Sequence, residues 1–178
     1  IIAVHVPIVG MSLIPVLLVD WPLVLLPVQI AFLELVIDPA CSIVFEAEQL
    51  DPDLMRRPPR SPESSLADSR TVGIAVAQGT SVLVAVLLVY VWAVNAGLSE
   101  ESVRSVAFGA LVVGNLALIL VNRSWRLTVW ATLRQRRNAA LPWVLGGAVV
   151  TLTVLLTVPP ARDAVGLGPV GGVEVAVM

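Results

Sequence analysis

Apolar residues run along this chain in long unbroken blocks, and the polar ones gather between them. Five blocks reach membrane-spanning length, at about 1–19, 22–45, 72–94, 103–121 and 139–158. About 20 apolar residues at 1.5 Å rise each cross the ~30 Å of hydrocarbon in a bilayer. None of the blocks alternates with period 2, as the strands of a membrane barrel would. Backbone groups in lipid must pair within their own segment, so the pattern predicts an all-α fold, a polytopic transmembrane helical bundle. A sixth block, VGGVEVAVM, opens after a tail rich in Gly and Pro. Only Asp20 and Trp21 separate the first two blocks, which predicts a tight helical hairpin.

Composition strengthens this picture. The chain of 178 residues is 57% hydrophobic and 13% charged, against about 25% charged in a typical soluble domain. The excess apolar surface needs lipid to cover it, so a bilayer is the first partner, and nothing suggests nucleic acid. One cysteine, Cys41, excludes an internal disulfide. The first residue already lies inside an apolar run, and the last lies inside another. Both ends read as cut, and the chain is expected to be a piece of a longer protein.

The position of charge gives an orientation. All 11 basic residues other than His are Arg. Arg56, Arg57, Arg60 and Arg70 fall in the loop 46–71, and Arg123, Arg126, Arg134, Arg136 and Arg137 in the loop 122–138. The positive-inside rule places both loops in the cytoplasm, and with them whatever precedes Ile1. The chain is then a multi-pass protein, taken to lie in the cell membrane. Trp21, Trp92 and Trp143 stand near block ends, where amphipathic rings anchor at the interface.

The second block carries the chemistry. It reads PLVLLPVQIAFLELVIDPACSIVF and holds Glu34 and Asp38 at i and i+4, on one helical face. An ionised Asp at a helix centre costs about 2.5–3.5 kcal/mol on insertion scales, so two carboxylates need a reason to be there. Two hard oxygen donors on one face suit a hard cation or a proton-exchanging pair. Pro39 has no N–H, which leaves the carbonyl of Leu35 without its helical donor and adds a third oxygen. A protonated pair bonded to neighbouring helices for packing is the plainer alternative. His5, near the start of the first block, is a proton shuttle, a ligand or simply an interfacial hydrogen-bonding residue. Asn115 is isolated in the fourth block, beside Ala110 and Gly114 at a spacing that lets helices approach, and it suits interhelical bonding or ion contact equally.

The string LLPVQIAFLELVIDPACSIVFEAE, followed by DLMRRPPR, resembles the sixth transmembrane helix and following loop of calcium-pump-like P-type cation-transporting ATPases. That family shows Pro-Val-Gln, then Asn-Leu-Val-Thr-Asp, then an acidic stretch leading to Met-x-Arg-Pro-Pro-Arg. Pro27, Val28 and Gln29 match the first part, Leu35, Val36 and Asp38 the second, and Met55, Arg57, Pro58, Pro59 and Arg60 the third. Glu34 replaces the family's Asn ligand and Ile37 its Thr. The resemblance implies that the blocks are the fifth to ninth helices with part of a tenth, the C-terminal membrane domain of a cation pump. It further implies a transported cation held by Glu34 and Asp38, with Leu35, Asn115 and His5 as further candidates. Asn115 stands where the eighth helix of the family has an acid. Ca2+, Mn2+, Na+, Mg2+ and protons all stay open as the ion, because Val6 and Val9 replace the fifth-helix ligands.

The same resemblance implies partners outside these 178 residues: amino-terminal helices and cytoplasmic domains that use ATP and Mg2+. This sequence contains no Asp-Lys-Thr-Gly phosphorylation motif, no Thr-Gly-Glu loop and no Lys. It is therefore expected to be inactive as an ATPase by itself. A secondary transporter or channel segment, or an accessory membrane subunit, are the rival readings.

Overall fold

The computed structural model describes residues 1–17, 21, 23–48, 56, 68–123 and 138–178. Among them the regular elements are all helical: α1 (Ile2–Leu17), α2 (Pro27–Glu46), α3 (Ser69–Asn95), α4 (Glu100–Asn122), α5 (Leu141–Thr157), α6 (Pro159–Ala164) and α7 (Gly172–Val177). α2, α3 and α4 are each long and apolar enough to cross a membrane, while α1 and α5 are apolar helices of 16 and 17 residues. The fold is the expected membrane helical bundle, and α7 stands where the sixth apolar block begins.

Local chemistry sets the helix ends. Asp68 caps α3 by accepting from the Thr71 N–H, and Ser99 caps α4 by accepting from the Ser102 N–H. Glu100 and Glu101 lie in the first turn of α4, where the helix dipole favours negative charge. α3 stops at Gly97, whose φ of 72° suits a residue without Cβ; Leu98 N–H returns to Ala93 and Gly97 N–H to Val94. The three residues Gly97–Ser99 thus turn the chain straight from α3 into α4.

α2 begins later than the sequence pattern predicted, at Pro27 instead of residue 22. The ring of Pro27 disfavours helical backbone at the residue before it, and Leu26 is extended at φ −82°, ψ 154°. Pro27 itself takes the first helical position, where its missing N–H costs nothing. The predicted tight hairpin of the first two spans opens out as a result. α1 packs chiefly on α3 and then on α4, whereas α2 packs on α4 and α5. Glycine explains the choice for α1: a Cβ on Gly79 would sit 2.5 Å from the carbonyl oxygen of Ala3, so only glycine allows that approach. Gly10 against Leu83 repeats the contact further along, which makes α1 and α3 parallel. Gly114 lies against Val82 in the same manner, bringing α4 up to α3 as the small residues there predicted.

α4 is the central post. Val106, Ala107, Phe108, Leu111 and Ile119 are all buried on it, and Phe108 meets Phe32 of α2 with ring centroids 6.1 Å apart. Ile1, Phe45, Thr71 and Asn122 line one cleft, so the start of α1, the end of α2, the start of α3 and the end of α4 share one end of the bundle. This alternation agrees with the order of spans read from the sequence. At the same end, Arg123 donates to Glu48 from Nε at 2.9 Å and Nη2 at 3.4 Å, with side chains only 1% and 11% exposed. Asn138 donates to the same carboxylate at 3.0 Å and to the Val44 carbonyl at 2.8 Å. Its own Oδ1 accepts from the N–H groups of Ala140 and Leu141 at the head of α5. One buried carboxylate thereby ties the ends of α2 and α4 to the start of α5. Removing one partner of a buried ion pair costs about 3–5 kcal/mol, whereas replacing the whole pair by apolar groups costs much less. Glu48→Leu is therefore expected to lower unfolding stability in detergent by about 3–5 kcal/mol, and Glu48→Leu with Arg123→Met to recover most of it. Equal losses in the two proteins would show that the clamp is not a buried ion pair.

Candidate functional site

Glu34 lies in the second turn of α2 and points across to α1. Its Oε2 stands 3.3 Å from Nε2 of His5, with side chains 37% and 36% exposed. The structure thus joins two of the candidate residues, from helices that otherwise pack elsewhere. His5 is oriented from its other side, where Nδ1 lies 3.0 Å from the carbonyl oxygen of Ile1, one turn earlier. A carbonyl only accepts, so Nδ1 carries the hydrogen and Nε2 is left to face the carboxylate. That second contact is attractive when one proton sits on either Nε2 or Oε2. The pair is built to hold a single positive equivalent, as a proton or as a cation on the carboxylate.

α2 continues as helix through Pro39. Pro39 does not break the turn, because the bonds of the flanking residues carry the helix over one missing N–H. The Leu35 carbonyl still lacks a donor at i+4, since Pro39 has none to give. The Leu35 side chain is exposed and contributes nothing to a site. Asp38 occupies the position one turn beyond Glu34 in α2, and its side chain lies outside the described residues.

Asn115 sits at the middle of α4, fully buried. Neither its Oδ1 nor its Nδ2 has a hydrogen-bond partner among the described residues. An unpaired buried amide costs about 1–3 kcal/mol, so this position is held at a loss unless something further binds there. Gln78 of α3 also leaves a buried Oε1 without a partner among the described residues. Asn115 makes no bond to His5 or Glu34.

A cleft of about 350 Å³ relates these residues to the end of the bundle. Its walls are Ile1 and Val4 on α1, Cys41 and Phe45 on α2, Thr71 and Ala75 on α3, and Ile119 and Asn122 on α4. At 100° per residue, Cys41 and Phe45 share the helical face of Glu34, and Ile119 and Asn122 share the face of Asn115. Ile1 is likewise one turn from His5. The cleft lies at the end where α2 and α4 finish, on the helical faces that also carry Glu34, His5 and Asn115, but none of those three side chains lines it. Among the described residues no three His, Cys, Asp or Glu side chains converge as a ready-made metal cluster. Any cation held here takes a mixed set of one or two carboxylates with amide and backbone oxygens.

Some functional-looking residues had no signal in the sequence. Gln29 was visible only as part of a motif, yet it is fully buried and bonded at both ends of its amide. Arg104 and Ser105 stood out for nothing but lying away from the basic loops; both hold the C-terminal segment. Glu48 fell in an acidic stretch that reads as solvated loop, and its burial follows from Arg123 arriving from 75 residues away.

Comparison with known proteins identifies a family. A family model described as "Cation transporting ATPase, C-terminus" matches residues 22–178, which takes in α2 to α7 with Glu34, Asp38 and Asn115. No curated protein matches the chain. The chain, a bundle of apolar helices with a carboxylate inside, belongs to the family of cation-transporting ATPase C-terminal membrane regions.

Proposed function

We propose that this chain forms the ion-binding and translocation region of an ATP-driven cation pump, with ATP and Mg2+ used by cytoplasmic domains outside these 178 residues. The observation that carries the proposal is the contact of Glu34 with His5 across two helices. A carboxylate kept only for packing would be covered by its nearest neighbours, whereas this one meets an imidazole on another helix. Glu34 and Asp38 are the primary ligands in this account, with Asn115 and the Leu35 carbonyl as neutral oxygens and His5 as the group that exchanges a proton. The basic end of the bundle faces the cytoplasm, so the cleft is the cytoplasmic approach.

The chemistry follows from charge. With the site empty, Glu34 Oε2 faces His5 Nε2 at 3.3 Å. An arriving cation takes the carboxylate oxygens, and a proton held between the two side chains leaves to solvent. Upstream phosphorylation then shifts the bundle between two states that differ in affinity for the ion, since only a differential affinity moves a population. Family membership favours a pump over a channel or an accessory subunit. The ion itself stays open among Ca2+, Mn2+, Na+, Mg2+ and protons.

The direct experiment neutralises the carboxylates one at a time in the full-length protein. Glu34→Gln and Asp38→Asn are each expected to weaken cation-dependent phosphorylation by at least about tenfold in apparent affinity, about 1.4 kcal/mol. Unchanged cation dependence in both variants removes the site. Asn115→Leu separates ligand from packing residue. As a ligand position, it is expected to keep or gain thermal stability without cation, because an unpaired amide is removed, and to lose the stabilisation that cation gives. A protein destabilised equally with and without cation would make Asn115 a structural residue.

A further inference from the structure

After α6 the chain crosses the end of the bundle opposite the cleft, and almost every turn of its path is held by a side chain. Val165 closes α6, and Gly166 at φ 66° reverses the chain, with Leu167 N–H returning to the Arg162 carbonyl. The carbonyl of Val165 accepts from Gln29 Nε2 at 2.9 Å and that of Gly166 from Arg104 Nη1 at 2.8 Å. Those of Gly168 and Pro169 accept from the Ser105 and Ser102 hydroxyls, both at 2.8 Å. Ser105 Oγ in turn accepts from Gly168 N–H at 2.7 Å. A Cβ on Gly168 would lie 2.5 Å from the Ser102 nitrogen, so the segment is docked as closely as backbone allows.

The attachments are unequal. Arg104, Ser102 and Ser105 all belong to α4. The one side-chain bond from α2 is that of Gln29, which is fully buried and whose Oε1 also accepts from Leu26 N–H at 3.0 Å to cap the helix. Gln29 and Glu34 are five residues apart, roughly 140° around the helix and about 7.5 Å along it. The strap therefore grips the back of the helix whose front carries Glu34. One net hydrogen bond is worth about 1 kcal/mol, so a displacement of α2 against α4 parts the single Gln29 seam before the several bonds on α4.

We propose that Gln29 is a positioning residue, the latch through which the strap Val165–Pro169 holds α2 with Glu34 turned to His5, and that parting of this latch accompanies the movement of α2 in transport. The second half of this proposal rests on the pump reading; the first does not. Parting the latch strands a buried amide and a carbonyl that only water can then satisfy, so opening hydrates this end of the bundle.

Leu167, 2% exposed, reports on the strap. In the full-length protein in sealed vesicles, with Cys41→Ser, Leu167→Cys is labelled by a membrane-impermeant maleimide from the strap side. Gln29→Glu keeps the acceptor for Leu26 N–H and loses the donor to Val165. At rest it is expected to raise the labelling rate about fivefold, the equivalent of about 1 kcal/mol. Gln29→Met, which removes the donor without adding charge, is expected to do the same. Equal resting rates for both variants and the Gln29 protein, all eluting as folded protein, overturn the latch whether or not the protein pumps. ATP with the transported cation is expected to speed labelling of the Gln29 protein and to leave Gln29→Glu unchanged. Resting acceleration without that turnover response overturns the link to transport. Loss of the turnover response in Glu34→Gln alone tests the ion site and leaves the resting comparison intact.

Discussion

A polar side chain inside an apolar bundle survives only where another helix, a backbone carbonyl or a bound ion meets it, and that constraint organises this molecule. Lipid offers no hydrogen bonds, so each buried polar group fixes a relation between two elements. Glu48 fixes α2, α4 and α5 at one end. Gln29 and Ser105 fix the C-terminal strap to α2 and α4 at the other. Between these two polar layers the packing is apolar, Phe32 on Phe108 and the glycines of α1, α3 and α4 letting backbones close up. Glu34 and Asn115 interrupt that apolar middle: Glu34 reaches His5 across two helices, and the Asn115 amide is buried without a partner among the described residues.

The two layers also divide the bundle into parts held to different degrees. α4 is buried along most of its length and takes bonds from both ends of the bundle, so it serves as the fixed reference. α1 is joined closely to α3 through Gly79, and the pair presents His5 as one body. α2 is held at its tips by Gln29 and by the Glu48 clamp just past its last turn, and its middle carries the carboxylate. Pro39 adds one missing backbone bond in the same helix, a place where bending costs less.

Much of this was legible in residues. The helical bundle followed from block length and the lack of alternation, and the match of residues 22–178 to the cation-transporting ATPase family followed from the strings around Pro27–Gln29 and Arg57–Arg60. Glu34 was conspicuous because a carboxylate at that depth is expensive. The start of α2 was misjudged because hydropathy does not register what Pro27 does to Leu26. The hairpin expectation failed for a related reason: a short link limits separation but does not choose partners, residues 18–26 separate the two helices, and Gly79 offered α1 a closer neighbour than α2. Long-range polar bonds, Arg123 with Glu48 or Gln29 with Val165, were invisible because no local pattern marks residues that meet across 75 or 136 positions. His5 was named as a candidate shuttle or ligand, but its contact with Glu34 is a tertiary fact.

That contact is where the account stands or falls, and a double-mutant cycle measures it most directly. Cation affinity would be determined in the full-length protein for His5→Ala, Glu34→Gln and the double variant. Residues acting as one site couple by about 0.5–3 kcal/mol, so the double variant should bind little worse than the weaker single one. Losses that simply add, within about 0.3–0.5 kcal/mol, would mean that the two side chains touch without sharing an ion or a proton.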